Sequence, residues 1–372
     1  MGRAREAEAV YGIREIYRPP PPLEPEVDIV AVHGLNGSAL GTWTTVDSGI
    51  CWLSDPQFLP RYVLNARVLV WGYNGSFSSL TGADPSQDRI HDHAHTLVED
   101  LSTYRKLSGT ADKPIIFLCH SLGGIVVKRA LCYAQTRTGP KVAHEHAIFT
   151  HTYGILFFGT PHHGTSKATW LAYLKLAGAA ATLGMASRRS DLVAALEHES
   201  ETLQNITDFF VPLTPQFRIF YFWEQKKTYM GWSPKLKLKL GLGLRSRRIA
   251  TILSSSSSSS SRPSSNTNPN PASKTTTTPA LFTLDLGKAV FIVPPTSAAP
   301  PQDDGAERAG IAADHRGMVR FETPADQGFR MVADALVRYC ADAVEKMGGA
   351  GGGAAAASGK GGGEMVGGDG NL

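Results

Sequence analysis

The chain has 372 residues and a formal charge of +4, enough for one large domain or two small ones. The positive excess is local: residues 226–248 hold eight Lys/Arg and no acid, and without those eight the rest of the chain stands at −4. A generally basic protein is thereby excluded, and with it a nucleic-acid partner.

Residues 1–26 are polar and end in Pro19–Pro22, which reads as a Pro-rich extended linker. A buried strand is expected over 27–32, running into His33, Gly34, Leu35, Asn36 and Gly37. Another is expected over 67–71, then a helix over 88–105 with Ile90, Ala94, Leu97, Leu101 and Tyr104 on one face. His91 and His95 stand one turn apart near its start, a spacing that suits a metal. The metallo-hydrolase order His-x-His-x-Asp-His would need Asp where His95 stands. A solvated polar turn is the better account, and no metal or other cofactor is expected.

Residues 113–131 organise everything else. Ile115, Ile116, Phe117 and Leu118 form an apolar run suited to a parallel strand. Gly123 and Gly124 allow a tight turn, and Ile125, Val126, Ala130 and Leu131 give a helical apolar face. Strand, sharp turn with Ser121 at its apex, then helix is the nucleophile elbow. Small residues are needed two positions either side of the serine; Gly123 meets that need, and Cys119 stands where Gly is usual. The competing reading is a serine in an ordinary βα turn. With an elbow here, a strand ending in His-Gly upstream supplies the second oxyanion donor. The backbone N–H groups of Leu35 and Leu122 are therefore the candidate oxyanion hole, at roughly 3–4 kcal/mol per donor.

A strand over 153–158 ends in Gly159, Thr160, Pro161, His162 and His163. No carboxylate sits in that loop, so a triad acid must come later; the two histidines either line a pocket or occupy an exposed turn. Residues 165–186 are loosely helical. Residues 191–210 are amphipathic through Leu192, Leu196, Leu203, Ile206 and Phe210. Both read as a helical cap over the sheet or as ordinary packing helices. A strand over 217–223 places Glu224 at its C-terminal end, and 289–293 is expected to be the last strand. Asp314 and His315 follow, then a closing helix through Phe329, Val332, Leu336 and Tyr339.

Alternating elements of this kind make an α/β protein with a mostly parallel sheet and helices on both faces. The reactive residues fall at strand C-termini, where such sheets put their sites. The order Ser121, Glu224, His315 is the order a hydrolase of this architecture requires. Asp285, Asp303, Asp304 and Asp314 compete with Glu224 for the acid.

Residues 232–288 include Lys235, Lys237, Lys239, Arg245, Arg247 and Arg248, eight consecutive serines from Ser254 to Ser261, and an Asn/Pro/Thr tract. Such composition buries no core. It reads as a disordered basic and Ser-rich insertion in a domain spanning 27–346, or as translated intron. Residues 235–248 could also touch an anionic membrane, at about 1 kcal/mol per Lys/Arg near the surface. Residues 347–372 read as a Gly/Ala-rich disordered tail. Cys51, Cys119, Cys132 and Cys340 have no paired spacing, which predicts reduced thiols. No stretch reads as a signal peptide or a bilayer span, so an intracellular protein is expected.

Five stretches then carry a resemblance: residues 28–37, Cys119 to Gly124, 154–162, Ile292 to Ala298 and 313–321. They resemble the serine esterase, lipase-like family of the α/β-hydrolase superfamily. Within it they resemble fungal proteins similar to the human protein named for its serine active site. The resemblance covers roughly 27–231 and 289–340. It implies the α/β-hydrolase fold, with Ser121, Glu224 and His315 at the family's serine, acid and histidine. It also implies a small ester or lipid substrate, with some members tied to phospholipid remodelling and to intracellular membranes. The expected location is thus cytoplasmic, or peripheral on an endoplasmic reticulum or mitochondrial membrane. The expected function is carboxylic ester hydrolysis through an acyl-enzyme; an acyltransferase in phospholipid remodelling and a catalytically silent interaction or sensing module are the alternatives.

Overall fold

Apolar runs with little polar interruption set the sheet. In the computed structural model, which describes residues 11–75, 89–162, 205–229, 289–300, 303 and 305–355, β2 (Val27–Val32), β3 (Ala66–Gly72) and β4 (Ile115–His120) are buried at every position. β5 (Thr152–Phe158) and β6 (Arg218–Glu224) are buried at nearly every one. Strands covered on both faces read this way because no alternate residue meets water. Two further strands flank these five: β1 (Gly12–Tyr17) and, late in the chain, β9 (Glu307–Ile311). The order across the sheet is β1-β3-β2-β4-β5-β6-β9. All neighbours are parallel except β1, which runs antiparallel to β3. This is the α/β-hydrolase arrangement that the sequence implies.

Helices cover both faces. α1 (Arg89–Leu107), α2 (Leu122–Gln135) and α3 (Ala143–Thr150) pack together. α4 (Gln327–Ala355) lies against β2, β5 and β9. The expected face of α1 is the buried one, with Ile90, Ala94, Leu97 and Leu101 inside. So is that of α4, where Phe329, Val332, Leu336 and Tyr339 are fully buried. Under α4, alternate strand residues Ile29, Ala31, Val68, Val70, Ile116, Leu118, Leu156 and Phe158 form one core with Trp43, Trp52, Phe58 and Phe321. Among the described residues no helix is long and apolar enough to cross a membrane.

Three boundaries differ from the sequence reading. Residues 12–17, read as linker, form β1. Its Arg14 and Glu15 hide it from an apolar-run search, and Glu15 is spent on ion pairs to Arg18 and Arg67. Residues 289–293 are not the last strand of the sheet. Only β8 (Ala289–Val290) is extended, in a two-stranded ribbon with β7 (Thr228–Tyr229). Val293 gives its N–H to a carboxylate instead, and Pro294 and Pro295 have none to give. The sheet is closed by β9, whose Glu-Arg-Ala-Gly-Ile sequence lacks an apolar run. Finally, α4 continues past residue 346.

The chain divides into two compact units, Met1–Thr228 with Phe291–Leu372, and Tyr229–Val290. The first carries the sheet. The expected cap helices, apart from 205–210, and the whole of the 232–288 insertion lie outside the described residues, as does the tail beyond Ala355.

Candidate active site

The turn after β4 is tight because two backbones touch. A Cβ on Gly123 would stand 2.4 Å from the His33 carbonyl oxygen and 2.5 Å from that of Val32. Main-chain atoms cannot yield that much, so only glycine fits. The constraint reaches Ser121, which takes φ 55 and ψ −124, left-handed backbone that a non-glycine residue occupies at a cost of about 1–3 kcal/mol. The Ser121 N–H donates to Phe158 O at 2.9 Å, and the Thr160 hydroxyl donates to Ser121 O at 3.0 Å. β5 and its loop thereby hold the strained residue in place. Cys119 is fully buried, and burial pushes its thiol well above the ordinary range; such a thiol is inert packing.

The three residues singled out by chain order come together. His315 Nε2 lies 3.0 Å from Ser121 Oγ. On the other side of the ring, His315 Nδ1 lies 3.5 Å from Glu224 Oε2. That is longer than a good hydrogen bond. Both atoms are buried, and among the described residues neither has a hydrogen-bond partner; buried polar atoms of this kind are rarely left unpaired. The other oxygen, Glu224 Oε1, accepts the Val293 N–H at 2.9 Å. The sheet explains the meeting: Glu224 ends β6, its register partner is Ile311 of β9, and His315 follows four residues later.

The competing acids are otherwise engaged or outside the description. Asp314 Oδ1 accepts the Gly317 N–H at 2.8 Å, and Asp303 Oδ2 accepts the Tyr221 hydroxyl at 2.8 Å. Asp285 and Asp304 lie outside the described residues.

The His33–Gly37 loop leans directly on the elbow. A Cβ on Gly34 would be 2.6 Å from Ser121 Cβ and 3.2 Å from the Leu122 nitrogen. Leu35 is the next residue of that loop, and Leu122 is the first residue of α2, where helical N–H groups have no intrahelical acceptor. His33 braces the loop. Its Nδ1 is 3.0 Å from Gly34 O, its Nε2 accepts the Tyr73 N–H at 3.3 Å, and its ring stacks on Tyr73 at 4.4 Å. Burial pushes His33 down to about 4, so the ring is neutral and structural.

Sequence reasoning missed three supports. His120 reaches the His315 main chain, Gly159 lies against the His315 ring, and the Val293 N–H holds Glu224. None carries a periodic or motif signal. His162 is buried between Phe157 and Tyr221 rather than in an exposed turn; His163 lies outside the described residues. Elsewhere, Glu99, His144 and Glu145 bring one ligand atom each within 4.8 Å, but Glu145 is already paired with Arg137 at 3.1 Å.

Residues 28–208 match the family model described as "Putative serine esterase (DUF676)". Protein SERAC1 of Homo sapiens is 26% identical over 245 residues, covering 62% of this chain and 34% of the relative. Protein SERAC1 of Danio rerio is 27% identical over 257 residues, covering 63% and 35%. The chain thus spans about a third of the length of the curated relatives it matches. Among solved structures, a Bacillus licheniformis lipase, BlEst2, aligns at TM-score 0.43 with 17% identity, over 87% of this chain and 97% of that one. A monoacylglycerol lipase of Paleococcus ferrophilus aligns at 0.36 with 12% identity, over 88% and 98%. The segment 28–208, which holds the His-Gly loop and the Ser121 turn, is thus the part of the chain that is similar to the family of that description.

Proposed function

We propose that this chain is a serine hydrolase of carboxylic esters, working through Ser121, His315 and Glu224. The observation that carries the reading is His315 Nε2 at 3.0 Å from the oxygen of a strained, elbow-borne serine. In this reading the Ser121 hydroxyl donates to Nε2, which takes the proton as Oγ attacks the ester carbonyl. The Leu35 and Leu122 N–H groups receive the oxygen that becomes negative. Glu224 stabilises the imidazolium from the Nδ1 side; the 3.5 Å separation is of the looser kind that tightens when substrate is bound. His315 then protonates the leaving alcohol, and a water deprotonated by the same ring releases the acyl group.

Lipid esters are the substrate class favoured by the sequence resemblance. An alcohol in place of water would make the same residues an acyltransferase. A silent module is disfavoured, because such a module has no need of backbone strain at Ser121.

A fluorophosphonate probe tests the reading. Wild-type protein should label and Ser121→Ala should not; a folded wild type that never labels would overturn it.

A further inference from the structure

His120 is the last residue of β4 and stands immediately before Ser121, yet its side chain serves a different segment. Its Nε2 lies 2.8 Å from the main-chain oxygen of His315, 195 residues on, and the two rings are 5.1 Å apart. A carbonyl oxygen only accepts, so this bond needs a proton on Nε2. Burial pushes His120 down to about 3, so the ring is neutral and its single proton resides on the nitrogen that faces the carbonyl. We propose that His120 is a positioning residue: its Nε2–H clamps the His315 main chain to the elbow and thereby sets the reach of the His315 imidazole to Ser121. The proposal rests on the Ser–His–Glu reading.

The other bonds of the 313–318 loop explain why such a clamp is needed. Ala313 N–H donates to Ile311 O at 2.7 Å, Gly317 N–H to Asp314 Oδ1 at 2.8 Å, and Met318 N–H to Asp314 O at 3.0 Å. Lys226 N–H donates to Ala313 O at 2.9 Å. These tie the loop to β9, to itself and to the end of β6. His120 ties it to the strand that presents the serine, so the two reacting residues share one rigid mount. A misplacement of about 1 Å at a reacting group can cost roughly 10²-fold in rate.

The test compares His120→Met, which removes the donor, with His120→Gln, which keeps an N–H at similar reach. The readouts are fluorophosphonate labelling rate and p-nitrophenyl ester turnover. The methionine variant should label and turn over about tenfold or more slowly, in kcat rather than KM. The acid limb of its kcat/KM profile should also shift, because the His315 ring sits differently against Glu224. The glutamine variant should recover most of the rate. A folded methionine variant as fast as wild type overturns the proposal, and so does a folded glutamine variant as slow as methionine. Should the methionine variant not fold, imidazole ¹⁵N NMR of the wild type decides: an Nε2–H tautomer at His120 supports the clamp and an Nδ1–H tautomer overturns it. A wild type that never labels overturns the triad reading and the clamp together.

Discussion

Gly159 lies so close to His315 that any side chain there would crowd the imidazole. A Cβ there would be 3.0 Å from both Nδ1 and Cε1 of the imidazole and 3.1 Å from Met318 Sδ, and Gly159 itself has φ +56. Gly159→Ala should therefore displace the ring by a few tenths of an ångström relative to Ser121. We expect a fall in kcat of up to about tenfold with KM little changed, and a loss of stability of about 1–3 kcal/mol from the strained backbone. Steady-state kinetics with a thermal melt checks both. Near-normal turnover in a folded variant would show that Gly159 does not set the position of the ring.

Glu224→Gln separates the acid from its competitors. The amide keeps an oxygen for the Val293 N–H, so the fold should hold, while the negative charge facing His315 Nδ1 is lost. Turnover should drop by about 10³ or more, by analogy with acid removal in other triads. Asp303→Asn should leave turnover intact, since Asp303 faces the Tyr221 hydroxyl. The reverse pattern would make Glu224 a buried structural acid and move the triad elsewhere.

The readable parts of the sequence are those where chemistry and periodicity coincide. Ser121 announces itself because an elbow needs a strand, a glycine and a helix at fixed spacing, and β2 to β6 because both their faces are covered. Glu224 is legible only through strand order. β9 is not legible, since an edge strand of Glu-Arg-Ala-Gly-Ile needs a covered inner face and little else. His120, Gly159 and Val293 act through a ring nitrogen, an absent side chain and a main-chain N–H. Each contact spans tens to nearly two hundred residues, which no local pattern records.

Acid should unfold this protein through two buried imidazoles. His33 is pushed down to about 4 and His120 to about 3, in each case chiefly by burial. Between those values and the ordinary 6.5, the unfolded chain binds protons that the folded chain refuses. Stability is thus full above about 6.5 and falls as pH drops towards 4, by up to ~1.4 kcal/mol per pH unit for each ring. Urea titrations from pH 7 to 4 read the slope directly. His120→Gln should show a shallower fall, and an unchanged slope would discard this account.

Asp28 sits at the other end of the strands and should matter for stability alone. It is fully buried, with Arg67 Nε at 2.6 Å and Arg105 Nη1 at 3.4 Å. Asp28→Asn takes the buried counter-charge from Arg105 and leaves Arg67 only its 3.4 Å contact with Glu15, a loss of about 3–5 kcal/mol. Turnover per folded molecule should be unchanged. A variant that melts like wild type, or one that folds and loses turnover, contradicts the separation of scaffold from site.

The last prediction concerns residues 232–288. The chain on either side of them is already held together: β7 and β8 pair, and Lys227 Nζ lies 5.6 Å over the Phe291 ring. Replacing 232–288 with a short Gly/Asn linker should leave stability and turnover nearly unchanged, since each halving of a flexible loop alters closure by only about 0.6 kcal/mol. The cut must stop short of Phe291, because the Val293 N–H holds Glu224. A deletion extended through 293 should lose turnover where the shorter one does not. The rival role for this segment is a membrane contact through the cations of 235–248, worth about 1 kcal/mol per Lys/Arg near an anionic surface. Liposomes of anionic lipid part the two. A passenger gives no salt-dependent binding; a contact gives binding that fades as ionic strength rises and vanishes on excision. Sequencing the transcript decides whether the segment is translated intron. We expect the passenger, and loss of turnover on the shorter excision, with the fold retained, would reverse that conclusion.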